Sequence, residues 1–130
     1  MSVQDSRNLD EKTILIVDDD RDIGEALHCV ITAETNYRTL WIAESDLALL
    51  SAQHVHPSLI LLDYLMPVMD GLHLYDRLQD LDHMRGVPVV LITAATALPY
   101  EALQARGIRI LKKPFDVPEL LALLTQLIPQ

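Results

Sequence analysis

The chain has a single cysteine, Cys29, so it cannot form an internal disulfide and does not read as a secreted scaffold held by cross-links. Lysine is also scarce: there are three in 130 residues, two of them adjacent as Lys112 and Lys113. With 19 acidic residues against 10 lysines and arginines, the net charge is −9. That balance argues against nucleic acid or an anionic membrane as a partner of the whole surface, because phosphates need a basic patch. Long hydrophobic runs are missing. The stretch Gly86 to Tyr100 is free of charge for fifteen residues but is broken by Pro88 and Pro99. A membrane-spanning helix needs about 20. The N-terminus lacks the basic-then-apolar layout of a signal peptide, and the chain reads as cytoplasmic. No internal repeat or low-complexity tract is present. Half of the residues are nonetheless apolar, enough for a buried core, and the length fits one domain at roughly 100–200 residues each.

What is present alternates between short apolar runs and helical patterns. Met1 to Glu11 are mostly polar and aperiodic and read as a flexible tail, leaving 12–130 as the domain. The uninterrupted runs Ile14 to Val17, Leu59 to Leu62 and Val89 to Ile92 have the look of strands covered on both faces. Ile108 to Leu111 is a shorter run, and the mixed polarity of Tyr37 to Ile42 suits an edge strand. Between them, Ile23, Leu27, Val30 and Ile31 share one helix face. Asp46 to Gln53 gives a second helix with Ser45 as its N-cap, and Leu72, Tyr75, Leu78 and Leu81 give a third, opened by Asp70-Gly71. Pro99 to Arg106 and Val117 to Ile128 complete the set, the last capped by Asp116. Five β-then-α units predict an α/β, doubly wound parallel sheet with helices on both faces.

In such a sheet, ligands bind beyond the carboxyl ends of the strands, where the strand order reverses. Two apolar runs end there in carboxylates: Val17-Asp18-Asp19-Asp20 and Leu62-Asp63. If the two runs are neighbours, Asp18, Asp19 and Asp63 converge, and a hard divalent cation such as Mg²⁺ relieves their repulsion. The plainer reading makes the three consecutive aspartates helix-capping acids, but one cap suffices for a helix. Thr93 ends the fourth run with a hydroxyl, and Lys112-Lys113-Pro114 follows the fifth. A lysine before proline is restricted to extended geometry, which fixes the aim of Lys113; Lys112 reads as a solvated charge.

These pieces resemble the receiver domain of two-component response regulators. They are Ile14 to Asp20, the stretch Asp63-Tyr64-Leu65-Met66-Pro67-Val68-Met69-Asp70-Gly71, then Val90 to Ala94, and Lys113-Pro114-Phe115. The resemblance covers Lys12 to Ile128 and implies a flavodoxin-like sheet of order 2-1-3-4-5, an order for which this family supplies the general example. It makes Asp63 the phosphoacceptor and Asp18 and Asp19 the acidic pair for Mg²⁺, Asp19 directly and Asp18 mostly through water. The Leu65 backbone carbonyl becomes the third protein ligand, and Thr93 and Lys113 bind the phosphoryl oxygens. The implied donor is a sensor histidine kinase or a histidine phosphotransfer protein. The chain would then be a phosphoacceptor that assists its own phosphorylation and dephosphorylation, not an enzyme acting on a separate substrate.

Departures from the family pattern bear on output. Ile110 stands where many relatives carry a rotating Tyr or Phe, so a switch should run through the loop after the fourth strand and the fourth helix. Leu65 and Ala95 offer no polar group to align an attacking water, which implies a long-lived phosphoryl group. Leu123 and Leu127 widen the core-facing stripe Val117, Leu120, Leu121, Leu124 and Ile128. The extra width fits either added contacts with the fourth helix or a partner surface, including a homodimer through the fourth helix, fifth strand and fifth helix. His54 and His56 read as solvated, His28 and Cys29 fall off the apolar face of the first helix without ligand-spaced partners, and Trp41 reads as half-buried. A flavin or nucleotide binder would want a Gly- or Ser/Thr-rich first loop, and an Asp-based phosphohydrolase would want a cap; neither is present. The competing reading is a receiver-like interaction module that no longer depends on phosphorylation.

Overall fold

The computed structural model describes residues 12–128. The expected tail, Met1 to Glu11, lies outside them. Five strands form the sheet: β1 (Thr13–Val17), β2 (Arg38–Ile42), β3 (Leu59–Asp63), β4 (Val89–Thr93) and β5 (Arg109–Lys112). All neighbours are parallel and the order is β2-β1-β3-β4-β5, as the resemblance implied. The helices are α1 (Arg21–Glu34), α2 (Ser45–Ala52), α3 (Gly71–Leu78), α4 (Tyr100–Ala105) and α5 (Val117–Leu127), with a 3₁₀ turn at Asp82–Met84.

Strand residues alternate between two cores. Leu15, Val17, Ile60, Leu62 and Leu91 meet Ala48 and Ala52 of α2, Leu74 and Leu78 of α3, and Leu103 of α4. Ile14, Ile16, Leu59, Leu61, Val90 and Ile92 meet Leu27 and Ile31 of α1 and Leu120 and Leu124 of α5. Because both faces are covered, the central strands carry unbroken apolar runs, Ile14 to Val17, Leu59 to Leu62 and Val89 to Ile92, with polar residues only at their ends. Each fully buried aliphatic side chain contributes about 1.5–3 kcal/mol. The mixed strand β2 lies at the edge, where Arg38 and Leu40 remain exposed.

Three expectations change. Ser45 is not the cap of α2: Glu44 holds that position without a side-chain bond, and Ser45 is buried with its hydroxyl donating to the Met69 carbonyl at 2.9 Å. A buried hydroxyl needs a partner, and here the tertiary one wins over the local one. The helix α3 stops at Leu78, three residues short of the periodic Leu81, and buries Leu74 and Leu78 where Leu72 and Tyr75 are only partly covered. In α5 the wider stripe packs on the α1 side of the sheet, with Leu121, Leu123 and Leu127 against that core; α4 lies on the other face. Val117 stays 40% exposed.

Candidate functional site

Strand register assembles the site. Val17 pairs with Leu62, so Asp18 leaves β1 beside Asp63, the last residue of β3. Asp63 pairs with Ile92, which puts Thr93 at the end of β4 one step beyond, and Thr93 pairs with Lys112, directly before Lys113. The sheet therefore delivers Asp18, Asp63, Thr93 and Lys113 to one edge. Asp18, Asp63 and Thr93 are all buried.

The three consecutive aspartates do three different things. Asp20 caps α1, its carboxylate accepting from Asp22 N at 2.9 Å and Ile23 N at 3.3 Å. Asp18 points inward and accepts from Asp20 N at 2.9 Å. Asp19 is exposed, yet one of its oxygens lies within 4.8 Å of oxygens of Asp18 and Asp63. The capping reading thus holds for Asp20 alone.

Lys113 faces this cluster. Its Nζ lies 3.4 Å from Asp18 Oδ2 and 3.8 Å from Asp63 Oδ1. The Lys113–Pro114 peptide bond is cis, and Lys113 N donates to the Thr93 carbonyl at 2.9 Å. One ammonium does not offset the burial of the carboxylates. Desolvation, reinforced by Asp18 and Asp19 and only partly opposed by Lys113, pushes the Asp63 carboxyl up to about 7. Burial also raises Asp18, against the Asp20 N–H and Lys113 that pull it down. Thr93 Oγ1 accepts from Ala95 N at 3.0 Å, so the hydroxyl's own proton is directed elsewhere. Leu65 lies two residues past Asp63 with its side chain exposed, and its backbone N–H partly opposes the rise at Asp63.

Several supporting residues gave little signal in the sequence. Trp41 is half-buried as expected, but its indole N–H also donates to the Asp18 carbonyl at 2.9 Å, bracing the site from β2. Gly24 makes room for that ring: a Cβ there would come within 2.2 Å of the indole. Lys112 is exposed, but its ammonium donates to the Ala95 carbonyl at 3.4 Å and lies over the Tyr100 ring. His54 and Cys29 are exposed as expected, while the exposed His56 stacks near His83 and His28 bonds the Thr39 hydroxyl. Among the described residues no helix is long and apolar enough to cross a membrane.

Comparison with known proteins places this geometry. A family model described as the response regulator receiver domain matches residues 14–125. The DNA-binding response regulator MtrA of Mycobacterium tuberculosis is 34% identical over 111 residues, 84% of this chain and 47% of MtrA. The chain spans about half the length of the MtrA relatives it matches. Chemotaxis protein CheY4 of Vibrio cholerae superposes with a TM-score of 0.83 at 26% identity, covering 91% of this chain and 99% of that one. The receiver domain of sensor histidine kinase PA1611 from Pseudomonas aeruginosa, with a magnesium ion coordinated in its active site cleft, superposes with a TM-score of 0.80. It is 26% identical, covering 90% of this chain and 97% of its own. The four motifs that suggested the family all fall inside the matched span, and the chain belongs to the response regulator receiver domain family of two-component systems.

Proposed function

We propose that Asp63 accepts a phosphoryl group from the phosphohistidine of a sensor histidine kinase or a histidine phosphotransfer protein. The observation that carries this is the buried Asp63 carboxylate, grouped with Asp18 and Asp19 and 3.8 Å from Lys113 Nζ. One Asp63 oxygen attacks phosphorus, the P–N bond of the donor breaks, and its electron pair stays on the imidazole. Phosphoryl transfer asks mainly for positioning and charge stabilisation. Lys113 supplies an ammonium to the phosphoryl oxygens, and Thr93 donates its hydroxyl proton to one of them.

Three carboxylates with oxygens this close fit a hard cation that prefers oxygen ligands. Asp18, Asp19, Asp63 and the Leu65 carbonyl would hold Mg²⁺, and the ion in the PA1611 receiver domain supports that assignment. When bound, Mg²⁺ supplies positive charge against the anionic oxygens of the transferring group and favours ionised Asp63. Phosphorylation then alters the face formed by α4, β5 and α5, where a partner or a second copy docks. A module that works without phosphorylation would not need all five positions filled and gathered at one edge.

The test is intact mass after incubation with Mg²⁺ and acetyl phosphate. The wild type should gain one phosphoryl group, Asp63→Asn none, and chelation of the metal should suppress the gain. The added mass should persist after the donor is removed, because neither Leu65 nor Ala95 positions a water. An unmodified wild type, or equal labelling of Asp63→Asn, overturns the assignment.

A further inference from the structure

We propose that Lys112 is a clasp that couples the phosphorylation site to α4 in place of a rotating aromatic ring. This rests on the phosphoacceptor reading of Asp63. Ile110 is half-buried against the α2–α4 core and has no ring to turn. Lys112 is two residues further along β5 and therefore on the same face of the sheet. Its ammonium makes two contacts across to the β4–α4 segment: it donates to the Ala95 carbonyl at 3.4 Å and lies 5.9 Å from the centre of the Tyr100 ring, in the first turn of α4. Ala95 in turn donates its N–H to Thr93 Oγ1 at 3.0 Å. A continuous line thus runs from the Thr93 hydroxyl through the Ala95 peptide to Lys112 and Tyr100.

The two ends of α4 are held unequally. At its C-terminal end, Arg106 grips Asp76 of α3 with a two-pronged ion pair, Nε to Oδ1 at 2.8 Å and Nη2 to Oδ2 at 3.0 Å. Tyr75 adds a hydroxyl bond to the Arg106 carbonyl at 3.2 Å. Such fork-to-carboxylate pairs fix geometry as well as charge. At the N-terminal end, Pro99 provides no side-chain cap, Tyr100 is 48% exposed, and Lys112 supplies a polar tie to β5. When Thr93 turns toward a phosphoryl group on Asp63, Ala95 shifts with it and the clasp opens. The N-terminal end of α4 then swings while Arg106 stays as the pivot.

The test uses the full chain and reads amide hydrogen exchange over 94–100, with and without Mg²⁺ and beryllofluoride, a phosphoryl mimic. Lys112→Met keeps the aliphatic stem and removes the charge. It should raise exchange in the unliganded state by about fivefold and, by linkage, tighten beryllofluoride binding by a similar factor. Lys112→Arg should stay near wild type, and Tyr100→Leu should shift both readouts in the direction of Lys112→Met. Unchanged exchange in Lys112→Met removes the clasp, and faster exchange without tighter binding removes its coupling to the site. A wild type that binds no beryllofluoride counts against the phosphoacceptor reading, and with it the coupling, while the exchange comparison still shows whether the clasp exists.

Discussion

Asp63 meets two opposed demands: burial favours its neutral form, whereas the attack on phosphorus proposed for it needs the charged one. Its carboxyl sits at about 7 against an ordinary 3.8, so between those values the metal-free folded protein holds a proton that the unfolded chain has released. Stability must therefore fall as pH rises through that window. Asp18, also raised by burial, acts in the same direction. Mg²⁺ competes with the proton and should flatten the decline. Melting temperatures at about pH 5 and about pH 8 check this: the drop in chelator should exceed that in saturating Mg²⁺, and Asp63→Asn should lose part of it. Equal drops in wild type and Asp63→Asn would show that the carboxyl is not perturbed. The identity of these residues was legible in the sequence because each stands directly after an apolar run. Their division of labour was not. Nothing in Asp18-Asp19-Asp20 says which turns inward and which caps α1; that depends on where α1 starts relative to the end of β1.

At the scale of elements, the sequence spoke clearly wherever a rule is local. Asp70 and Asp116 cap α3 and α5 through bonds of 2.9 Å to His73 N and Glu119 N, and both follow from a short side chain three residues ahead of an open N–H. The misassigned cap at Ser45 failed because its partner, Met69, lies 24 residues away. The end of α3 failed for a related reason: Leu81 keeps the helical period, but the chain turns into a 3₁₀ segment that buries Met84. Gly71 shows the same dependence on distant neighbours. A Cβ there would lie 2.6 Å from the Asp63 carbonyl oxygen and 2.9 Å from Leu91 Cδ1. Gly71→Ala gains helix propensity of about 1 kcal/mol, yet the clash with backbone should outweigh it, for a net loss of about 1 kcal/mol or more. Urea denaturation measures this directly. A neutral or stabilised variant would mean that the end of β3 at Asp63 yields easily, and Mg²⁺ affinity should then change with it.

Across the whole molecule, two contributions to charge repulsion have to be separated. The net charge of −9 acts over the entire surface and should be screened by any salt, whereas the buried Asp18 and Asp63 repel each other, and the exposed Asp19 beside them, in a notch that salt screens less. Sodium chloride should therefore raise the melting temperature modestly and to the same extent in wild type and Asp63→Asn. Mg²⁺ at matched ionic strength should add a further rise in the wild type, because binding to the folded state alone adds stability by mass action. Asp63→Asn removes one charge from the notch, so near neutral pH without metal it should be the more stable protein and should gain less from Mg²⁺. Its advantage is the cost of keeping an ionisable carboxyl buried, the kind of local destabilisation that functional sites carry. If instead sodium chloride reproduces the full effect of Mg²⁺ in the wild type, the acids act only as a diffuse surface charge. The proposed cation site at the ends of β1 and β3 would then lose its energetic support, even with the strand order intact.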